Sequence, residues 1–303
     1  MARWTIGVRI MSAGKPETAD IPTARRSDVS AGDTRERLLS ARYGQAWPEP
    51  ALPWNDVIGT MLAHRSIRAY LPKALPDGTL EALVAAAQSA STSSNLQTWS
   101  VVSVEDPARK ARLAALAANQ NAMCEAPLLL VWLADLSRLQ RLGDERGHAV
   151  DGLSYLEMVF VAIVDAALAA QNALVAAESL GLGGVYIGAM RNKPIEVAAE
   201  LGLPPQVFAV FGLCIGYPDP AQASGVKPRL DPSVVLHREQ YGVAPARDYV
   251  ADYDEALQAF QREQAIAQVP WSERVLQRVG SAGSLSGRDR MRAALDALGF
   301  GLT

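Results

Sequence analysis

The chain has 303 residues, of which 49% are hydrophobic and 20% are charged, and its formal net charge is −3. The charged residues form no block of one sign, so the composition argues against a surface that binds nucleic acid or an anionic membrane. Cys124 and Cys214 lie far apart without a CxxC motif, and the three histidines are scattered. We therefore expect no metal site and a reducing cytoplasm as the location.

The first 53 residues differ in composition from the rest of the chain and are rich in Ala, Arg, Asp, Ser and Thr. Within them the pattern predicts a helix only over 34–43. No apolar segment of signal-peptide length follows Arg3 and Arg9. We interpret residues 1–53 as an appended arm, and a disordered leader or a true start at Met11 stays open as the alternative.

From Trp54 onward, helical and strand patterns follow one another. In chain order we predict a helix at 56–63, a helix at 79–89 capped by Asp77, a polar break at 91–95, a strand at 99–104, a helix at 107–119, a strand at 127–133, a charged loop at 136–150 and a long helix at 153–180. Next come a strand at 185–188, a helix at 194–201, a strand at 207–217, a proline-rich arm at 218–250 and helices at 252–263, 272–279 and 287–298. This order predicts an α+β or α/β fold with one sheet and helices on both sides. We take 54–250 as the core, with a long arm at 218–250 that wraps a neighbour, and 251–303 as a helical part of the same domain.

The segment 153–180 is the most apolar stretch of the chain. Glu157, Asp165 and Glu178 interrupt it, and each is costly in lipid. We therefore interpret it as a buried helix and not as a membrane span. Its many alanines allow another backbone to approach closely, so it is expected in the middle of the fold or across a dimer axis.

Known catalytic motifs are missing from the sequence. There is no GxSxG elbow, no Walker motif and no cysteine in an activating neighbourhood. The glycine-rich run GLGGVYIG at 181–188 follows a helix instead of opening one. Spacing alone favours a helix end that leads into a strand, and the alternative is backbone that a flat ligand approaches closely.

Three polar clusters are candidates for binding an anion. They are His64-Arg65-Ser66-Ile67-Arg68, Ser91-Thr92-Ser93-Ser94 and Lys227-Pro228-Arg229. Each alone is typical of a solvated face, a cap or a charged loop. Together they fit a phosphate on a polar chain, because arginine contacts phosphate with two parallel hydrogen bonds and lysine acts as a point charge.

Five motifs, taken together and in their order along the chain, carry a family resemblance: HRSIR at 64–68, STSSNLQ at 91–97, AQNALVAAESLGLGGVYIG at 170–188, FGLCIGYP at 211–218 and KPRL at 227–230. Over 57–271 the chain resembles the NADPH-dependent, oxygen-insensitive nitroreductase and flavin reductase family, in its major-nitroreductase branch. The resemblance implies an α+β nitroreductase fold, with a central, mostly antiparallel sheet flanked by helices, in an intertwined homodimer. It also implies FMN at the dimer interface, NADPH or NADH as electron donor, and a small nitroaromatic or quinone substrate.

The resemblance assigns roles position by position. His64, Arg65 and Ser66 are expected beside the ribityl phosphate, and Lys227 and Arg229 on the phosphate itself. Because the flavin carries the hydride, no catalytic side chain is expected, and Arg68 would support the reduced flavin near its N1 and O2 edge. The other expected cofactor contacts are Thr92, Ser93 and Ser94 from the partner chain, together with Gln120, Tyr186, Ile187, Gly188 and Ala189.

The chain departs from the family pattern at the nicotinamide and substrate positions. Arg262 matches an arginine that meets the 2′-phosphate of NADPH, but a second expected arginine is Ala267, so the choice between NADPH and NADH stays open. Asn95 replaces an aromatic residue beside the substrate. A basic stretch is missing near 281–284, so we expect a less cationic pocket.

The resemblance implies two-electron, ping-pong reduction of nitroaromatic compounds, from nitro through nitroso to hydroxylamine or amine. A quinone or free-flavin reductase on the same scaffold is the first alternative. A non-enzymatic flavin carrier or sensor is the second.

Overall fold

In the part of the chain that the computed structural model describes, four strands form one antiparallel sheet. They are β1 (Trp99–Val104), β2 (Leu128–Asp135), β3 (Gly183–Ile187) and β4 (Val207–Gly216), in the spatial order β1-β2-β4-β3. All three pairs are antiparallel, with Trp99 opposite Ala134 and Gly183 opposite Gly216. The two central strands, β2 and β4, are the continuous apolar runs of the sequence, and every residue of β2 is buried. The antiparallel α+β expectation is confirmed.

The structure describes residues 31–44, 52–222, 224–242 and 248–303. The leader before residue 31, including the alternative start at Met11, lies outside these ranges. The helices are α1 (Ala31–Tyr43), α2 (Asp56–Ala63), α3 (Thr79–Gln88), α4 (Pro107–Leu116), α5 (Asn121–Glu125), α6 (Ser137–Arg146), α7 (Leu156–Ser179), α8 (Pro194–Leu201), α9 (Pro232–Val235), α10 (Tyr249–Glu263), α11 (Trp271–Val279) and α12 (Met291–Ala297).

Helices cover both faces of the sheet. On one face, side chains of β2 and β4 such as Leu129, Val131 and Cys214 form a core with α4, α5 and α8. On the other face, Leu130, Trp132 and Leu213 pack against α3 and α7. The side of α7 toward the sheet is mostly alanine, which lets its backbone lie close to the strands. The expectation of a long helix in the middle of the fold is confirmed.

Among the described residues, α7 is long and apolar enough to cross a membrane by length and composition. Its position in the fold favours another interpretation, because one side of the helix packs on the sheet. Asp165, near its middle, is 2% exposed and forms hydrogen bonds with residues of the chain. These contacts are typical of a core helix.

Three predictions of local structure are wrong. The charged loop at 136–150 is largely the helix α6, because Asp135 accepts hydrogen bonds from the N–H and hydroxyl of Ser137 at its start and Gly147 ends it with φ of 66°. Asp77 does not cap α3, since Gly78 occupies the N-cap with φ of 80° and no side chain bonds there. The helix predicted to reach Asn119 ends at Leu116, where the chain turns into left-handed backbone.

Candidate functional site

A cleft of about 780 Å³ lies where the segment after α2, the first part of the proline-rich arm and the end of α10 meet. Six of the predicted cofactor residues line it: His64, Arg65, Ser66, Arg68, Lys227 and Arg229. The other lining residues include Tyr70, Asn121, Phe260 and Gln264. Two of the three polar clusters of the sequence, 64–68 and 227–229, therefore share one cleft.

Hydrogen bonds to the sheet hold the segment 64–68 in place. The Ile67 amide donates to the Gly184 carbonyl of β3 at 3.0 Å, and the Tyr70 hydroxyl donates to the Ile67 carbonyl at 2.7 Å. Ile67 is buried, whereas its neighbours Ser66 and Arg68 are exposed and line the cleft. Ile67 thus anchors the segment in the core, while the polar side chains on either side of it face the cleft.

The glycines of the run 181–188 serve different purposes. Gly181, with φ of 78°, ends α7, which confirms the helix-end interpretation for that residue. A Cβ on Gly183 would lie 2.4 Å from Cγ1 of Ile67, and one on Gly184 would lie 2.8 Å from Leu174. These two glycines therefore permit close packing within the chain. Approach of a flat ligand stays a prediction for Gly188, where the nearest atom found among the described residues would lie 3.5 Å from an added Cβ.

His64 is oriented by an acidic partner. Its Nδ1 lies 2.6 Å from Oε1 of Glu178, which belongs to the last turn of α7. The other carboxylate oxygen of Glu178 is buried without a hydrogen-bond partner in the described part of the chain. This contact ties the start of the 64–68 segment to the helix that crosses the sheet.

Positive charge is concentrated in the cleft. Among the described residues, two acidic side chains, Glu125 and Asp219, line it. Five cationic side chains line it as well: Arg42, Arg65, Arg68, Lys227 and Arg229. Burial, followed by the neighbouring arginines Arg68, Arg229 and Arg274, lowers the pKa of Lys227. Cations crowded together in this way favour a bound anion, and the donor set fits a phosphate group.

The turn that carries the serine run lies outside this cleft. Asp165 holds it in place, accepting hydrogen bonds from the Thr92 hydroxyl at 2.6 Å and from the Ser93 amide at 3.2 Å. The backbone of Ser94 and Asn95 is left-handed, with φ of 48° and 56°. Within one chain, therefore, the structure does not bring Thr92, Ser93, Ser94 and Asn95 together with the cationic segments.

The other predicted residues are spread around the edge of β3 and beyond. Gln120 precedes α5 and is next to Asn121, which lines the cleft. The hydroxyl of Tyr186 donates to Gln171 at 3.3 Å. The side chain of Ile187 is buried in the core, so only its backbone is available to a ligand, and Gly188 and Ala189 are partly buried in the turn that follows. Arg262 is exposed and bonds to Gln268 at 3.4 Å, and it does not line the cleft.

A second group of cations, Arg191, Arg278 and Arg288, was not singled out from the sequence. A Cβ on Gly188 would lie 3.5 Å from an Nη of Arg191 and 3.9 Å from an Nη of Arg288. Burial lowers the pKa of both arginines, and Arg278 lowers both further. The stretch 281–284 lacks basic residues, but Arg278 and Arg288 flank it in the sequence. Together with Arg191, they place positive charge near Gly188.

Two residues of structural importance were also missed. Arg42 of α1 lines the cleft, and Asp165 of α7 anchors the serine turn. An acidic residue in the middle of an apolar helix is a signal for a buried hydrogen-bonded group. No comparable signal distinguishes Arg42 from the other arginines of its helix.

Comparisons with known proteins agree with the fold. Residues 61–217 match the nitroreductase family model, and residues 227–303 match the model of the C-terminal domain of the nitroreductase family. The chain is similar to the FMN reductase (NADPH) of Bacillus subtilis, with 40% identity over 227 residues that cover 73% of this chain and 90% of the relative. It is also 40% identical over 204 residues to the oxygen-insensitive NADPH nitroreductase of Salmonella typhimurium, covering 67% and 81% of the two chains.

A solved structure of the NfrA1 nitroreductase from B. subtilis matches with a TM-score of 0.75 and 37% identity, covering 81% of this chain and 99% of that one. Helix α1 precedes the residues matched by either family model. The sheet order, the position of the HRSIR and KPRL segments and these matches lead to one conclusion: the chain belongs to the nitroreductase family.

Proposed function

We propose that this protein is an FMN-dependent NAD(P)H oxidoreductase that reduces nitroaromatic compounds. The observation that carries the proposal is the meeting of 64–68 and 227–229 in one cationic cleft. Relatives named as an FMN reductase and an NADPH nitroreductase support the flavin and the nicotinamide donor. We expect the protein to act in the cytoplasm on small molecules.

The residues of the cleft fit the phosphate end of FMN. Lys227 and Arg229 would hold the phosphate, with His64, Arg65 and Ser66 beside it. The chemistry that FMN supplies when bound is two-electron transfer of a hydride from NAD(P)H to an electron-poor acceptor. Arg68 would place a positive charge near the flavin, which favours the reduced, anionic state. Gln120, Tyr186, Ile187, Gly188 and Ala189 are proposed as ring contacts.

The surface of α7 supports a homodimer. Leu156, Phe160, Val164 and Leu168 recur every four residues and are 42%, 56%, 54% and 43% exposed. Four large apolar side chains on one helix face are more than a monomer usually leaves in water. Asp165 fixes the serine turn to the same helix. We therefore propose that a second copy covers this face and that Thr92, Ser93 and Ser94 serve the flavin of the partner.

The nicotinamide and substrate ends of the site are proposed from two positions. Arg262 is exposed on α10, two residues before Gln264 of the cleft wall, and is proposed to meet the donor. Ala267 offers no second charge, so we expect only a weak preference for NADPH over NADH. Asn95 is proposed beside the substrate, in the turn that precedes β1.

Reduction of quinones or free flavin is a second candidate activity on the same scaffold. It is favoured by the similarity to a relative named FMN reductase (NADPH). The two activities share the hydride donor and the bound flavin, and they differ only in the acceptor.

Anaerobic stopped-flow spectroscopy of the purified yellow protein tests the proposal. We expect NADPH or NADH to bleach the bound flavin and a nitroarene to restore its colour rapidly in a second mixing step. Bleaching followed by reoxidation with benzoquinone or free FMN, but not with the nitroarene, would assign the second activity. If neither nicotinamide bleached the flavin, both reductase activities would be contradicted in favour of a flavin carrier or sensor.

A further inference from the structure

Helix α1 reaches the cationic cleft although it precedes the residues matched by the family models. It packs on α2 and buries Leu38 and Leu39, which are 5% and 4% exposed. At its last turn Arg42 is 5% exposed, an unusually low value for an arginine. A positively charged residue of the N-terminal arm, Arg42, therefore forms part of the wall of the cleft.

The guanidinium of Arg42 joins the two segments that carry the predicted phosphate ligands. Its Nη2 donates to the carbonyls of Leu62 at 2.8 Å and His64 at 2.9 Å, and its Nη1 donates to the carbonyl of Lys227 at 2.7 Å. The Arg42 carbonyl in turn accepts a hydrogen bond from the Arg229 amide at 2.8 Å. One residue of α1 thus fixes the backbone at His64, Lys227 and Arg229.

The charge of Arg42 adds to that of the neighbouring cations. Burial and then Arg229 lower the pKa of Arg42, while Glu178 acts in the opposite direction. A buried arginine beside another arginine is costly unless backbone carbonyls and a nearby anion compensate it. The three carbonyls supply part of this compensation. A phosphate anion bound in the cleft would supply the rest.

We propose that Arg42 is a positioning residue of the cofactor site, which sets the spacing between the 64–68 and 227–229 segments and strengthens the positive field on the phosphate. This inference rests on the proposed function, because it takes FMN as the ligand of the cleft. It assigns a purpose to the arm: α1 completes a phosphate site whose direct ligands lie in the family core.

The dissociation constants of FMN and riboflavin, measured by fluorescence titration of the apoprotein, test the proposal. Riboflavin lacks the phosphate, so the ratio of the two constants isolates the phosphate site. We expect Arg42→Ala to raise the FMN constant at least about tenfold and to leave that of riboflavin nearly unchanged, because the segments that Arg42 fixes carry the side chains proposed to hold the phosphate. Arg37→Ala, exposed on the same helix, is the matched control and should leave both constants unchanged.

Arg42→Lys keeps the charge, but its donors sit on one nitrogen and cannot span the carbonyls that Nη1 and Nη2 of Arg42 reach separately, so we expect an intermediate loss of FMN affinity. If Arg42→Ala does not fold, the ratio of the two dissociation constants in Arg42→Lys provides the test instead. If the variants bound FMN and riboflavin more weakly by the same factor, Arg42 would have a purely structural role and the proposal would be overturned. An unchanged FMN dissociation constant in both variants would also overturn it. If the wild-type protein showed no preference for FMN over riboflavin, the proposed function itself would fail.

Discussion

The buried carboxylate of Asp165 accepts a 2.6 Å hydrogen bond from the hydroxyl of Thr92, the residue that precedes the Ser93 and Ser94 turn. The same carboxylate accepts from the amide of Ser93 and from the amide and hydroxyl of Thr98. Left-handed backbone at non-glycine residues costs about 1–2 kcal/mol each. Asp165 offsets that cost and holds the turn in a single shape beside the exposed face of α7.

Asp165→Asn tests this anchor. We expect the free energy of unfolding to fall by about 1–3 kcal/mol, because an amide nitrogen replaces one acceptor and leaves buried donors unsatisfied. Chemical denaturation of the apoprotein measures the change. Glu157→Gln, in the exposed first turn of the same helix, is the control and should cost less than about 1 kcal/mol, because it removes only a favourable charge at the helix start. Equal stability of the two variants would show that the turn does not depend on Asp165.

Gly183→Ala tests the packing of the 64–68 segment on β3. The added Cβ would lie 2.4 Å from Cγ1 of Ile67 and 3.1 Å from Pro218. We expect a loss of about 1–3 kcal/mol in stability, and weaker FMN binding because the segment must shift. Gly152→Ala is the control, since the described residues place no atom within 4 Å of its added Cβ. In a double-mutant cycle, Ile67→Ala should relieve part of the loss, and strict additivity would contradict the steric explanation.

Phe160→Glu tests the proposed dimer face. Phe160 is 56% exposed in the single chain, and a carboxylate at its position would be buried without a partner if a second copy covers α7. We expect sedimentation analysis to show a shift from dimer to monomer together with loss of bound flavin. Leu276→Glu, at a position that is 68% exposed on α11, should leave the dimer intact. A wild-type monomer, or a Phe160→Glu dimer with full flavin content, would contradict the assignment.

The pKa of Lys227 predicts how flavin binding depends on pH. Burial and nearby arginines hold this pKa below the usual lysine value in the free protein, and a bound phosphate anion should raise it. Between the two values binding takes up a proton, so FMN affinity should fall as the pH rises through the pKa of the free protein. Titrations between about pH 7 and pH 10 measure this fall, which riboflavin should not share.

Lys227→Arg keeps its charge over that whole range, so its FMN affinity should vary less with pH than that of the wild-type protein. The same pH dependence in Lys227→Arg and in the wild-type protein would exclude Lys227 as the group responsible.

The sequence predicted the parts of this structure that depend on local pattern or on ordered motifs. The two continuous apolar runs form the strands β2 and β4. The motifs that begin at His64 and Lys227 were predicted to bind the same phosphate group, and they line the same cleft. Charged and polar residues dominate α6, so the composition predicted a loop there although Leu139 and Leu142 recur at helical spacing. Contacts between residues that are far apart in the sequence were also missed. An example is the hydrogen bond from Arg42 to the carbonyl of Lys227, 185 residues away.

The preference of the protein for FMN over riboflavin, and its dependence on Arg229, tests the central claim most directly. Apoprotein of the wild type, of Arg229→Ala and of Arg262→Ala would be titrated with both flavins. We expect the wild type to bind FMN more tightly, Arg229→Ala to lose at least about tenfold in FMN affinity alone, and Arg262→Ala, outside the cleft, to behave like the wild type. Equal affinities of the wild type for the two flavins, or an unchanged FMN constant in Arg229→Ala, would contradict the assignment of this cleft as the phosphate site.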